Sequence, residues 1–189
     1  VIINIGTMHM ENLGSQEGIL QAKMEILEGL NPQGKLFLNG DDSLLYGQKQ
    51  ALGDRVVYFG TNRETCSIWA DEICQTEGSV SYVAHSAEGS FPITLPVEGL
   101  HHVIDSLAAV AVGLHMGIAP ENIAKRLSPF RNMEGRQEIF QAKGCTIIKD
   151  CYNAGPESMA AALAVLGNRI GRKIAVLGDM LELGVTATA

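Results

Sequence analysis

VIINIGTMHMENLGSQEGILQAKMEILEGLNPQGKLFLNG, residues 1–40, decides the fold. VIINI (1–5) is continuous, apolar and β-branched, the composition of a strand covered on both faces. Ser15 is a candidate N-cap, and residues 15–30 repeat apolar side chains at helical spacing. GKLFLN (34–39) then reads as a second strand, followed by turn-rich GDD and a helix near 43–51. RVVYFG (55–60) is a third strand. Strand, helix, strand, helix, strand is the alternation of a parallel sheet with right-handed crossovers. The expected class is α/β.

The helix contains an anomaly. At about 100° per residue, Ile19, Ile26, Leu27 and Leu30 form one apolar stripe, and Lys23 falls within it. Gln21, Glu25 and Glu28 take the opposite side. A lysine on a core face usually carries its amine out to the rim. The alternative is a desolvated amine, whose charged form burial disfavours. Once neutral, such an amine can add CO2, which turns a cation into an anionic metal ligand. His9, in the loop after the first strand, is then a candidate second ligand. Both readings stand at this point.

Outward from this start the pattern changes. Residues 65–97 lose helical spacing, and SIWADEI, SVSYVAH and FPITLPV read as three antiparallel strands, a small sheet beside the main one. GLHHVIDSLAAVAVGLHMG (99–117) is a strongly apolar helix, and Pro120 opens another in PENIAKRLSPF. Turn residues between Asn132 and Gly135 mark a boundary, which divides the chain into domains 1–133 and 134–189. Beyond it the alternation resumes with RQEIFQAK (136–143), CTIIKD (145–150), a helix over PESMAAALAVLG (156–167) and a strand in KIAVLGDM (173–180).

The whole chain has 189 residues, 46% of them apolar, and a formal net charge of −7. No block of Lys and Arg suggests nucleic acid as a partner, and no apolar run is long enough to insert in a bilayer. Cys66, Cys74, Cys145 and Cys151 make no CxxC pair and no zinc spacing, as expected of reduced thiols in a cytoplasmic protein. No GxxxxGK[ST] phosphate loop occurs, since GNRIGRK (167–173) has the wrong spacing and runs into a strand. The chain opens directly on a strand and ends on VTATA, so it is expected to be a piece of a longer protein.

Four polar clusters, GTMHMEN, NGDD, DCYNAGP and GDMLELG, fall at the carboxyl ends of strands, where open α/β sheets bind ligands. For NGDD the plainer reading is a capping loop. In this order the clusters resemble the Mur ligases, ATP-dependent enzymes that add amino acids to the peptidoglycan precursor. The resemblance is carried by NIGTMHMENLGSQEGILQAKMEI, GLHHVIDSLAA, GRQE, IKDCYNAGPESM and VLGDMLELG, and it spans nearly the whole chain up to Gly184.

That resemblance implies an ATPase domain followed by a partial Rossmann-like domain. It implies a carbamate on Lys23 that binds Mg2+ together with His9. It places Arg136 on a nucleotide phosphate and Asp150 on the ribose, with Tyr152 and Asn153 in the closing loop and His102 and Asp105 on the adenine side. The last two signatures imply D-alanyl-D-alanine and UDP-N-acetylmuramoyl-tripeptide as substrates, the resemblance as a whole implies an acyl phosphate route, and a monomer is expected. The chain also departs from the pattern. His102 and Asp105 replace two asparagines, Lys149 replaces an acidic residue, and Gly155 replaces an asparagine. Without a phosphate loop, the piece alone is expected to be inactive. The rival expectations are a superfamily ligase with another amine substrate and a non-catalytic binding module.

Overall fold

A computed structural model describes residues 1–8 and 10–183. Its main sheet has five strands in the order β1 (Leu36–Asn39), β2 (Val56–Gly60), β3 (Ile68–Thr76), β4 (Ser79–Ser86) and β5 (Gly89–Leu95). The β1–β2 and β2–β3 pairs are parallel, whereas β3–β4 and β4–β5 are antiparallel. The class is α/β, as expected. The three antiparallel strands do not stand beside the parallel ones but continue the same sheet, because β3 adds to β2 through Phe59–Ile68 and Gly60–Trp69.

The opening segment is less regular than its composition suggests. Ile2 alone bridges to Leu38, donating to the Phe37 carbonyl at 2.9 Å and accepting from the Asn39 amide at 3.2 Å. Ile2 and Ile5 nevertheless sit in one apolar cluster and Ile3 packs against the other, so the segment lies between two layers.

Strand alternation feeds both layers. Leu36 and Leu38 of β1 and Tyr58 of β2 face the cluster under α2 (Gln16–Met24) and α3 (Ser43–Tyr46). Phe37 and Phe59 face the opposite cluster, built on α5 (His101–His115) and α6 (Pro120–Leu127). Val103, Leu107, Val110, Ala111 and Leu114 give α5 one buried stripe at helical spacing. The Tyr82 hydroxyl reaches the Ser106 hydroxyl at 2.8 Å inside this core, so neither polar group is orphaned there.

The Ser15 cap forms as expected, its hydroxyl accepting from the Gly18 amide at 3.1 Å. A short helix, α1 (Met10–Leu13), precedes it. The predicted helix over 15–30 stops at Met24 and continues as a single 3-10 turn, Glu25–Leu27. Ile19 is buried, while Leu20, Met24, Leu27 and Leu30 pack beside it. Lys23 is exposed and Ile26 is 46% exposed, so both lie at the margin of the face, not within it.

NGDD is a capping loop. Asp42 Oδ1 accepts from the Leu44 and Leu45 amides at 3.0 and 3.1 Å, and its Oδ2 accepts from the Ile5 amide at 2.6 Å. Asp42→Ala therefore removes a helix cap and frees the first segment at once. The expected loss is about 2 kcal/mol, read from the urea midpoint. An unchanged midpoint would show that the carboxylate bonds are replaced by water without cost.

Beyond the boundary, β6 (Glu138–Ala142) and β7 (Cys145–Lys149) form an antiparallel hairpin. Lys143 and Gly144 turn it with φ of 49° and 77°, the positive values that a tight hairpin turn requires. Another helix, α4 (Lys49–Leu52), precedes β2, and α7 (Pro156–Gly167) has the predicted bounds. Residues 173–180 form no strand, and Ile174 and Val176 are 67% and 93% exposed. A strand exists only by pairing, and among the described residues nothing pairs with this segment.

Candidate active site

The expected nucleotide residues meet where α5 begins and the hairpin ends. The Cys151 amide donates to the Gly135 carbonyl at 2.9 Å, bringing residues 135–136 beside 151–152. Arg136 then lies over the Tyr152 ring, 3.7 Å from its centroid, a cation–π arrangement that presents the guanidinium edge to solvent. Lys149, the departure from an acidic residue, sits 3.5 Å from Glu134 and 3.7 Å from Glu138. Both carboxylates hold its ammonium above the ordinary lysine range.

On the α5 side, His102 is buried, with its ring tilted against His101 at 4.1 Å and edge-on to Phe130 at 5.9 Å. Its Nδ1 lies 3.9 Å from an Asp105 carboxylate oxygen, and its Nε2 is buried with no hydrogen-bond partner among the described residues. Burial first, and then the neighbouring His101 charge, pushes its pKa down to about 4. Burial also lowers His101, against the pull of Asp105 and Asp150. Desolvation raises the Asp105 carboxyl, with His101 opposing.

Sequence reasoning missed Gln137. It is buried at φ 47°, donates from Nε2 to the Glu98 carbonyl at 2.6 Å, and touches both histidines. A non-glycine residue in that region is uncommon and costs strain that its surroundings must hold in place. Gly99, with φ 116°, makes the turn into α5, and a Cβ there would strike the His101 ring. A glutamine beside a boundary gives no periodic signal, so only the fold reveals its role.

The structure thus brings Arg136, Asp150, Tyr152, His102 and Asp105 to one junction. Asn153 lies in the same loop, and its side-chain oxygen accepts from the Ala154 amide at 3.0 Å. Asp150, Tyr152 and Asn153 also line a cleft of about 770 Å³ that runs along α7 to residues 174–179. Gly155, where an asparagine was expected, leaves room for Met8, whose Cγ a Cβ would meet at 2.5 Å.

Lys23 is elsewhere, on a smaller cleft shared with Ile2, Asn4 and Ile26. Its Nζ donates to the Asn4 carbonyl at 2.8 Å, the behaviour of a lysine that carries its amine to the rim. His9 lies outside the described residues. Among the described residues, no group of three or more His, Cys, Asp or Glu side chains is placed to hold a metal.

A second chain of polar groups crosses the antiparallel strands. His85 Nε2 is 2.7 Å from Asp71, its Nδ1 is 2.7 Å from the Ser90 hydroxyl, and its ring stacks on Trp69 at 3.8 Å. Neither cleft includes these residues, and Ser90 is exposed on the outermost strand. The arrangement fastens β3, β4 and β5 together as a cross-strand clamp.

Residues 1–113 match the Mur ligase middle domain, and residues 135–189 match the Mur ligase, glutamate ligase domain. The chain belongs to the Mur ligase family. It is similar to the UDP-N-acetylmuramoyl-tripeptide–D-alanyl-D-alanine ligase of Bacillus subtilis, with 40% identity over 97% of this chain and 40% of that one. The Escherichia coli enzyme of the same name is 31% identical over 100% of this chain and 42% of its own length. A crystal structure of MurF from Acinetobacter baumannii superposes with a TM-score of 0.90 at 35% identity, covering 98% of this chain and 40% of that one. This Mur ligase chain therefore spans about 40% of the length of the relatives it matches.

Among the described residues, no helix is long and apolar enough to cross a membrane.

Proposed function

We propose that the chain forms part of a cytoplasmic, monomeric ligase that joins D-alanyl-D-alanine to UDP-N-acetylmuramoyl-tripeptide at the expense of ATP. Residues 1–133 would belong to its central ATPase domain and 134–189 to its C-terminal domain. The observation that carries this reading is the junction itself. Asp150 beside His101 joins the two parts, with the Arg136–Tyr152 pair next to it in sequence on one side and the His102–Asp105 pair on the other. The likeness in sequence and fold to ligases of that name supports the choice of substrates.

In the reaction, the tripeptide carboxylate attacks the γ-phosphorus of ATP, and ADP leaves. The resulting acyl phosphate is attacked by the amine of D-alanyl-D-alanine. A tetrahedral intermediate then loses phosphate, and the amine proton is released as the amide forms. The chain's contribution is to hold charge in place before it develops. Arg136 keeps its guanidinium on the Tyr152 face, where a phosphate oxygen can reach the free edge. Asp150 can accept from ribose hydroxyls. His102, held neutral by burial, stands where the family pattern has an asparagine on the adenine side.

The Mg2+ and carbamate roles of Lys23 and His9 rest on the family resemblance. Magnesium, when bound, would neutralise phosphate charge.

The test uses the full-length protein. Phosphate release from ATP is expected only when both the tripeptide nucleotide and D-alanyl-D-alanine are present. Release with another amine alone would favour the broader superfamily reading, and no release with any amine would favour a binding module. In that assay Arg136→Ala is expected to raise the KM for ATP about tenfold, the effect of one charge-assisted phosphate contact. An unchanged KM would remove Arg136 from the nucleotide site.

A further inference from the structure

The loop over residues 6–8 and the start of α1 are held from the other half of the chain. The Glu157 Oε1 atom accepts from both the Thr7 amide and the Thr7 hydroxyl, each at 2.9 Å. Gly6 approaches so closely that a Cβ would sit 3.3 Å from the Glu157 carboxyl carbon. Met8 fills the space that Gly155 leaves, and the Glu11 amide donates to the Glu182 carbonyl at 3.3 Å. Each of these anchors comes from beyond residue 150.

Glu157 stands in the first turn of α7, and the other end of that helix is fixed as well. Arg169, just past its last turn, reaches Glu77 at 2.6 Å and Glu98 at 2.5 Å. Glu98 is 4% exposed and also accepts from the Gly78 amide at 2.7 Å. A helix of 12 residues is a stiff rod about 18 Å long. Its two ends thus grip two separate places on the first part of the chain.

We propose that α7 is a two-point clasp, in which Arg169 seats the helix on Glu98 and Glu157 thereby positions the Gly6–Thr7–Met8 loop. Glu157 is then a positioning residue and touches no reacting group. Docking of the C-terminal part would set the shape of a loop whose next residue is the family's metal-site histidine. That consequence rests on the ligase reading, but the clasp does not.

The experiment is amide hydrogen exchange on the 189-residue chain, resolved at Thr7. Glu157→Ala is expected to speed Thr7 exchange at least tenfold while amides in β3–β5 stay protected. Glu157→Gln keeps an acceptor oxygen and is expected to retain most of the protection. Arg169→Met is expected to speed Thr7 exchange too, although it cuts the contact at the far end of the helix. If Arg169→Met exposes β3–β5 amides through global unfolding, Arg169→Lys takes its place. It keeps a cation but loses the fork that spans two carboxylates. Unchanged Thr7 exchange in Glu157→Ala overturns the positioning role. Faster exchange confined to the surroundings of Glu98 in the Arg169 variant overturns the coupling. Neither readout uses ATP, so failure of the ligase assay leaves this result standing, and the reverse holds.

Discussion

Replacing Arg169 with methionine is expected to cost the chain about 3 kcal/mol or more. The reason lies in what is left behind. Glu98 is almost wholly buried, and its carboxylate meets the guanidinium at 2.5 Å. Without Arg169, one amide bond from Gly78 must hold a full negative charge away from water. Removing one partner of a buried pair costs far more than the pair itself contributes, because the desolvation penalty stays while the attraction goes. The exposed partner Glu77 contributes little, since solvent screens it. The check is the urea midpoint of the single variant against Arg169→Met combined with Glu98→Gln. The double variant is expected to regain most of the loss. Equal loss in both would mean that packing of the arginine stem, not the orphaned charge, sets the cost.

The second large effect is acid sensitivity. His102 has an ordinary value of 6.5 and is pushed down to about 4 in the folded chain. Between those values the unfolded chain binds a proton that the folded chain refuses, so stability falls as pH falls. The loss begins near pH 6.5, grows as pH drops towards about 4, and levels off below that, reaching about 3 kcal/mol. His101, also lowered by burial, adds in the same direction. Asp105 works against them at the acid end. Its raised pKa means the folded state takes up a proton more readily there, which returns part of the loss. Denaturant midpoints at pH 7.5, 5.5 and 4.5 should decline, and His102→Asn should flatten the decline. A midpoint that holds steady over this range would refute the claim that the imidazole is kept neutral by burial.

The resemblance and the class were legible because they rest on local chemistry. The Ser15 cap and Pro156 at the start of α7 act over a few residues, and both fell where expected. The Lys23 reading divided differently. Helical spacing put it among Ile19, Leu27 and Leu30, but spacing cannot tell a buried stripe from its margin. The neighbouring Asn4 carbonyl supplied a partner at the rim, and the amine went there. The 173–180 strand failed for a related reason. Apolar composition shows that a segment would pair well, but it does not supply the neighbour.

The sequence by itself determined the family, the α/β class and the alternation from β1 to β2, because each is written in short-range pattern. Only the tertiary structure decided which side chains meet across the boundary. Gln137 between two histidines, Glu98 under Arg169, and Thr7 on Glu157 are pairs separated by many residues, up to 150 in the last case. Contacts of that range depend on how two packed layers are set against each other, and no local periodicity encodes that.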